Sequence, residues 1–270
     1  MMKMNLSHLA VLALLLGLSA QDNSLAQAQE DGVQTKKPYR LDITSRILEA
    51  NKGISQNLVE GDIALSKKRN GMKCWNNYCK WRKSYNGLVE VPYSLSDYFF
   101  DSEKAIIRKA MESFHQKTCV RFVPHLGQSD YLSIESELGC WSTIGRDGGK
   151  QVVSLSMYGC LAHGIVQHEL LHALGFHHEH ARSDRDQYVR INWENVPSAN
   201  VFNFNKMDTN NLNTPYDYSS IMHYGRTAFT SAFGANTITP IPDPSVPIGQ
   251  REDMSYIDIL RINRLYGCNI

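Results

Sequence analysis

The sequence of 270 residues predicts an α+β fold. Between Leu88 and Leu155, short runs rich in β-branched and aromatic residues flank a helical stretch. After Gly175, long polar segments show little periodicity until a last helical pattern near the C-terminus. The composition is that of a folded chain: 42% hydrophobic and 20% charged residues, with 18 Gly and 9 Pro, exclude intrinsic disorder, collagen-like repeats and coiled coil. Lys and Arg number 28 against 27 Asp and Glu, a net charge of +1, so no charge imbalance points to nucleic acid or an anionic membrane surface.

The elements follow in order. Lys3, the apolar run Leu9 to Leu18 and the small pair Ser19-Ala20 have the layout of a secretory signal peptide over 1–20, with a second plausible cut after Ala26. The apolar run is too short to span a bilayer. Residues 21–69 are rich in Gln, Asp and Lys, carry one short helical pattern from Ile43 to Ala50, and close on Lys67-Lys68-Arg69. Behind a signal peptide, that basic cluster marks a propeptide over 21–69 with processing after Arg69 to expose Asn70.

From Asn70 onward, Leu88 to Tyr93 reads as a strand, and Asp101 to Gln116 as a helix capped by Asp101 or Ser102. Strand-like runs follow at Val120 to Val123, Tyr131 to Ile134, Cys140 to Ile144 and Gln151 to Leu155. A second helix spans Ala162 to Leu174 and stops at Gly175; a final one runs from Met254 to Leu265. The cysteines are Cys74, Cys79, Cys119, Cys140, Cys160 and Cys268, an even set without a CxxC pair. In an exported chain they favour three disulfides over a thiolate metal site, with fifteen connectivities open.

The chemistry concentrates in His168-Glu169-Leu170-Leu171-His172-Ala173-Leu174-Gly175-Phe176-His177-His178. Residues i and i+4 share a helix face, so His168 and His172 aim two imidazoles at one point. Gly175 permits the turn that returns His178 as a third nitrogen ligand. Glu169 stands beside the first ligand, where a carboxylate takes a proton from metal-bound water. Three ligands and an open position make a catalytic rather than a structural zinc site. His163, His177 and His180 miss the ligand spacing and read as structural or surface residues.

This long pattern, with the candidate Met-containing turn Ser220-Ile221-Met222-His223-Tyr224, is that of metzincin peptidases. His168 to Arg185 and the SIMHY turn resemble the astacin family of zinc endopeptidases, in which a glutamate, here Glu179, directly follows the third histidine. The similarity covers 70–270 and extends to the propeptide. Cys74, Cys79 and their surroundings resemble the six-cysteine branch that includes the fish hatching (choriolytic) enzymes.

The resemblance implies a twisted, mostly parallel sheet with two long helices in an N-terminal subdomain, an irregular C-terminal subdomain and a zinc cleft between them. It implies disulfides Cys119–Cys268, Cys140–Cys160 and Cys74–Cys79, and one Zn2+ per subunit. Tyr224 takes the place of the tyrosine that binds zinc at rest and then donates to the oxyanion, while Met222 underlies the site as packing. The strand from Cys140 to Gly145 forms the upper cleft rim, and Asp62, in Leu58-Val59-Glu60-Gly61-Asp62-Ile63, is similar to the propeptide aspartate that blocks the metal. Arg251 is a candidate for acidic substrate side chains. In simpler astacins the glutamate at Glu179 receives the mature N-terminus, a pairing that the extra Cys74–Cys79 segment puts in doubt. The expected protein is a secreted, monomeric zymogen, stored in granules before release, that cleaves extracellular proteins such as egg-envelope glycoproteins. An astacin of another tissue acting on matrix or peptide substrates is the alternative; a non-catalytic binding protein would have lost a motif residue.

Overall fold

The computed structural model describes residues 41–54, 57–65, 78–250 and 252–269. The signal peptide, Arg69, Asn70, Cys74 and Arg251 therefore lie outside the described residues. Helices are α1 (Ile43–Ala50), α2 (Asp101–Lys117), α3 (His163–Ala173) and α4 (Tyr256–Tyr266). Strands are β1 (Leu58–Val59), β2 (Ile63–Ala64), β3 (Val89–Leu95), β4 (Val120–Pro124), β5 (Tyr131–Glu135), β6 (Cys140–Ser142), β7 (Lys150–Leu155), β8 (Val189–Ile191) and β9 (Ile238–Pro240).

Among the described residues β1 to β7 form one sheet in the order β1-β2-β6-β7-β5-β3-β4. The pairs β3/β4, β3/β5, β5/β7 and β2/β6 are parallel; β6/β7 and β1/β2 are antiparallel. The fold is thus α+β with a mostly parallel sheet. The register places Val89, Val91, Leu132, Ile134, Val153 and Leu155 on one face of the sheet, and all six are buried. Their core continues into α2 through Ile107, Ala110, Met111 and Phe114, and into α3 through Ile165, Val166, Leu170 and Leu171. The run after Gly175 builds a smaller core from Val189, Ile191, Phe204, Tyr216, Tyr224 and Ile238, on short 3₁₀ turns and the β8/β9 pair.

Several boundaries differ from the sequence expectation for local reasons. Helix α2 is capped at Phe100, not Asp101 or Ser102, and the Glu103 carboxylate reaches back to accept the Phe100 N–H at 2.8 Å. The cap is made by the residue three positions in, and the phenyl has no acceptor to offer. Strand β6 stops at Ser142 rather than Ile144, because the chain turns away there and the Gly145 N–H donates to the His172 carbonyl at 2.8 Å. Helix α4 starts later than expected, at a Ser255 cap whose hydroxyl accepts the Asp258 N–H, with Asp258 accepting the Ser255 N–H in return.

Disulfides join Cys119 to Cys268 and Cys140 to Cys160. Cys79 is also disulfide-bonded. The first ties the start of β4 to the end of α4, and the second ties β6 to the segment that leads into α3.

Helix α3 carries the first two motif histidines, and its position depends on α2. Phe114 is fully buried, meets Phe122 edge-on at a ring separation of 5.4 Å, and lies on the helix whose Ser113 hydroxyl accepts from the Gln167 amide at 2.8 Å. Phe114→Ala should lower unfolding stability by about 3–5 kcal/mol, read from the urea midpoint of the purified protein.

Candidate metal centre

Helix α3 is buried on every side from Gly164 to Ala173, so His168 and His172 sit in the interior and not on a wet face. Its C-terminal carbonyls are claimed by neighbours: Trp81 Nε1 donates to Ala173 O and the Tyr266 hydroxyl to Leu174 O, both at 2.9 Å. Gly175 follows with φ +106°, a conformation that side chains disfavour, and sends the chain back so that His178 returns to the helix.

Four side chains meet there. Asp62, His168, His172 and His178 are fully buried, with their donor atoms all within 4.8 Å of one another. His168 Nε2 lies 3.1 Å from His178 Nε2 and 3.1 Å from Asp62 Oδ2. Asp62 Oδ1 is 3.3 Å from His172 Nε2, and Oδ2 is 3.3 Å from His178 Nε2.

The far nitrogens fix what the near ones are. His168 Nδ1 donates to the Ile221 carbonyl at 2.9 Å, and His172 Nδ1 to the Phe176 carbonyl at 2.7 Å. His178 Nδ1 donates to the Glu60 carboxylate at 2.9 Å. A neutral imidazole that donates through Nδ1 presents a lone pair at Nε2. Three lone pairs and a carboxylate therefore converge in a dry site, where Asp62 Oδ1 and His172 Nε2 lack hydrogen-bond partners. Without a cation the arrangement is repulsive. The spacings approach the edges of a tetrahedron, about 3.3–3.4 Å, around an ion with ligands at about 2.0–2.1 Å. The residues present fit zinc.

Glu169 is buried beside the cluster, and neither carboxylate oxygen has a hydrogen-bond partner. Burial first, and then the Asp62 charge, push its carboxyl well above the usual carboxylate range. Tyr224 is buried, its ring 4.6 Å from that of His178 and stacked at 3.8 Å on His180, with its hydroxyl donating to the Glu60 backbone carbonyl. Met222 is buried in the main core, and its carbonyl accepts the Glu179 N–H at 3.0 Å. The turn that holds both is anchored by buried Asp258, which accepts from the Ser220 hydroxyl at 2.6 Å and the Ile221 N–H at 3.0 Å.

Glu179 points away from the metal ligands. Its carboxylate accepts both guanidinium nitrogens of Arg261, at 2.5 and 2.8 Å, and the Asp217 N–H at 2.7 Å.

The segment 57–65 fills the cleft. Strand β2 adds to the edge of β6 in parallel, with Ile63 opposite Ser142, and the Ser142 N–H donates to the Asp62 carbonyl at 3.1 Å. Asn51, at the end of α1, donates to the carbonyls of Gly61 and Cys140 and accepts the Cys140 N–H at 2.7 Å. Gly61 has φ +80°, and a Cβ there would lie 2.5 Å from Leu48 Cδ2 and 2.9 Å from Phe229 Cζ. Leu58 is buried.

Two residues escaped the sequence reading. Glu60 stands behind the metal cluster, and His177, read as structural or surface, donates to its Oε1 at 2.7 Å. The ligand pattern carried no signal for either.

With this geometry in view, the comparisons decide the family. Residues 76–267 match the family model for the astacin peptidases. The chain belongs to the astacin family. It is 57% identical over 228 residues to high choriolytic enzyme 1 of Oryzias latipes, covering 84% of each chain. It is 51% identical over 263 residues to low choriolytic enzyme of the same species, covering 96% of this chain and 97% of that one. The solved structure of high choriolytic enzyme 1, described as a hatching enzyme zinc-protease from medaka, superposes with a TM-score of 0.72 at 58% identity, over 74% of this chain and all of that one. The protein is therefore an astacin-family zinc metalloendopeptidase related to hatching enzymes, and its substrates are proteins.

One zinc per chain should copurify with the protein. His172→Ala should weaken zinc binding by more than about 100-fold, since a direct ligand outweighs the 10–100-fold typical of outer partners; elemental analysis after dialysis against a chelator reads both.

Proposed function

We propose that the chain is exported as a latent precursor and, once cut after Arg69, digests egg-envelope glycoproteins. The observation that carries latency is the Asp62 carboxylate seated against all three imidazole Nε2 atoms. Carboxylate oxygens ligate zinc, so Asp62 takes the position that a water would need. The parallel pairing of β2 with β6 also occupies the sheet edge on which an extended substrate would add a strand. Among the described residues no helix is long and apolar enough to cross a membrane. Export rests on the signal-like segment and the oxidised cysteines, and the envelope substrate on the likeness to choriolytic enzymes. Storage in granules, a monomeric enzyme, the Cys74–Cys79 pair and the substrate contact at Arg251 belong to the same reading.

His168, His172 and His178 would hold the metal. Bound there, zinc contributes Lewis acidity toward the scissile carbonyl and brings the pKa of a coordinated water toward about 7. Departure of Asp62 admits solvent and removes a neighbouring negative charge, relieving the two causes that push the Glu169 carboxyl above the usual carboxylate range. Glu169 then accepts the water proton at its carboxylate and delivers it to the departing amine nitrogen. Tyr224, released from the Glu60 carbonyl, has a hydroxyl free to donate to the developing oxyanion. The Tyr224 ring stacks on that of His180 at 3.8 Å.

Glu169→Gln should keep its zinc and cut the turnover of the processed enzyme by about 10²–10⁴-fold, because only the proton carrier is removed. Near-normal hydrolysis of a casein substrate by that variant would reject the role. Asp62→Ala should hydrolyse the same substrate before any cleavage of the chain. A variant precursor as silent as the uncut wild type, verified intact by mass, would reject the switch.

A further inference from the structure

The three imidazoles are oriented from behind by acceptors of two different origins. Ile221 and Phe176, which serve His168 and His172, lie in the protease region and use backbone carbonyls. His178 alone is served by a charged group, and that group lies before the processing site. Glu60 spends its whole carboxylate there: Oε2 accepts His178 Nδ1 at 2.9 Å and the His178 N–H at 3.1 Å, and Oε1 accepts His177 Nδ1 at 2.7 Å. It is 1% exposed. Its backbone adopts φ +49°, a left-handed conformation that costs a non-glycine residue about 1 kcal/mol or more and persists only where the surroundings over-determine it. Strain of this kind, held by three hydrogen bonds to one turn, marks a residue placed for its side chain.

We propose that Glu60 is a positioning residue of the metal site in the precursor: its carboxylate fixes the orientation of His178 and raises its basicity, so zinc is held more tightly before processing than after. The inference rests on the latent-precursor reading above, and it assigns the segment 57–65 two distinct carboxylates. Asp62 meets the metal position itself; Glu60 acts through a ligand. A carboxylate accepting from the far nitrogen of a ligating imidazole makes that imidazole a stronger donor, and loss of such a partner costs 10–100-fold in metal affinity. Removal of the segment would leave His178 as the one ligand without its described acceptor, so the precursor is the form built to capture the ion.

Competition of the full-length, uncut protein with a chelator of known zinc affinity tests this. Glu60→Ala should weaken zinc binding by about 10–100-fold, and Glu60→Gln, which keeps a neutral acceptor, should recover part of the loss. In the Co2+-loaded protein the visible absorption should shift in Glu60→Ala, because a reoriented imidazole changes the ligand field. The Asp62→Ala variant separates the two readings: it should bind zinc more weakly and also hydrolyse substrate uncut. If it does neither, the latency reading fails. If it does both while Glu60→Ala keeps zinc affinity within about twofold of wild type, the Glu60 assignment alone fails. Adding Glu60→Ala to Asp62→Ala should weaken zinc further; no further loss would mean that Glu60 only holds Asp62 in place, and would overturn the proposal. Should Glu60→Ala not fold, the isosteric Glu60→Gln decides alone, a measurable weakening supporting the assignment and wild-type affinity overturning it.

Discussion

The structure depends on one electrostatic demand: three imidazole lone pairs and a carboxylate are held about 3 Å apart in a site that water does not reach. Such a set is tolerable only around a cation. Much of the rest is arranged to impose it. Helix α3 is buried on every side from Gly164 to Ala173, so its ligands are dry, and the Asp258-anchored turn brings Ile221 to the back of His168. Residues far from the chemistry are thus spent on aiming three rings.

The segment 57–65 is part of the same arrangement. It closes the sheet edge with β2, fills the metal position with Asp62, braces His178 with Glu60 and occupies the Tyr224 hydroxyl through a backbone carbonyl. Under the proposed latency, each contact uses a group that catalysis needs, and one departure would free all of them together. Asn51 fastens the cleft segment to the sheet, since its one amide bonds both Gly61 and Cys140 at the β6 edge. Glu179 stands apart from these contacts: Arg261 and the Asp217 N–H satisfy it.

What could be read in the sequence was what is local. His168 and His172 lie one helical turn apart, and Gly175 supplies the reversal that delivers His178, so the ligand set follows from spacing. Strands and helices with a clear apolar period emerged within a few residues of their observed ends. The Phe100 cap escaped because the stabilising group is the Glu103 side chain, while the capping position itself holds a residue with no acceptor. Glu60 escaped for another reason. Its partner is 118 positions away, and an acidic residue beside a glycine reads as a solvated turn until the fold buries it. The Tyr224–His180 stack likewise needed the folded smaller core before two aromatic rings became neighbours.

The central claim is that the uncut chain holds its zinc with His168, His172, His178 and Asp62 together. The most direct measurement is a crystal structure of the zinc-loaded, uncut protein with anomalous data at the zinc edge. The account predicts one anomalous peak with three imidazole nitrogens and an Asp62 oxygen at about 2.0–2.2 Å in a tetrahedral set. A metal ligated by the three histidines and water, with the Asp62 carboxylate elsewhere, would contradict it.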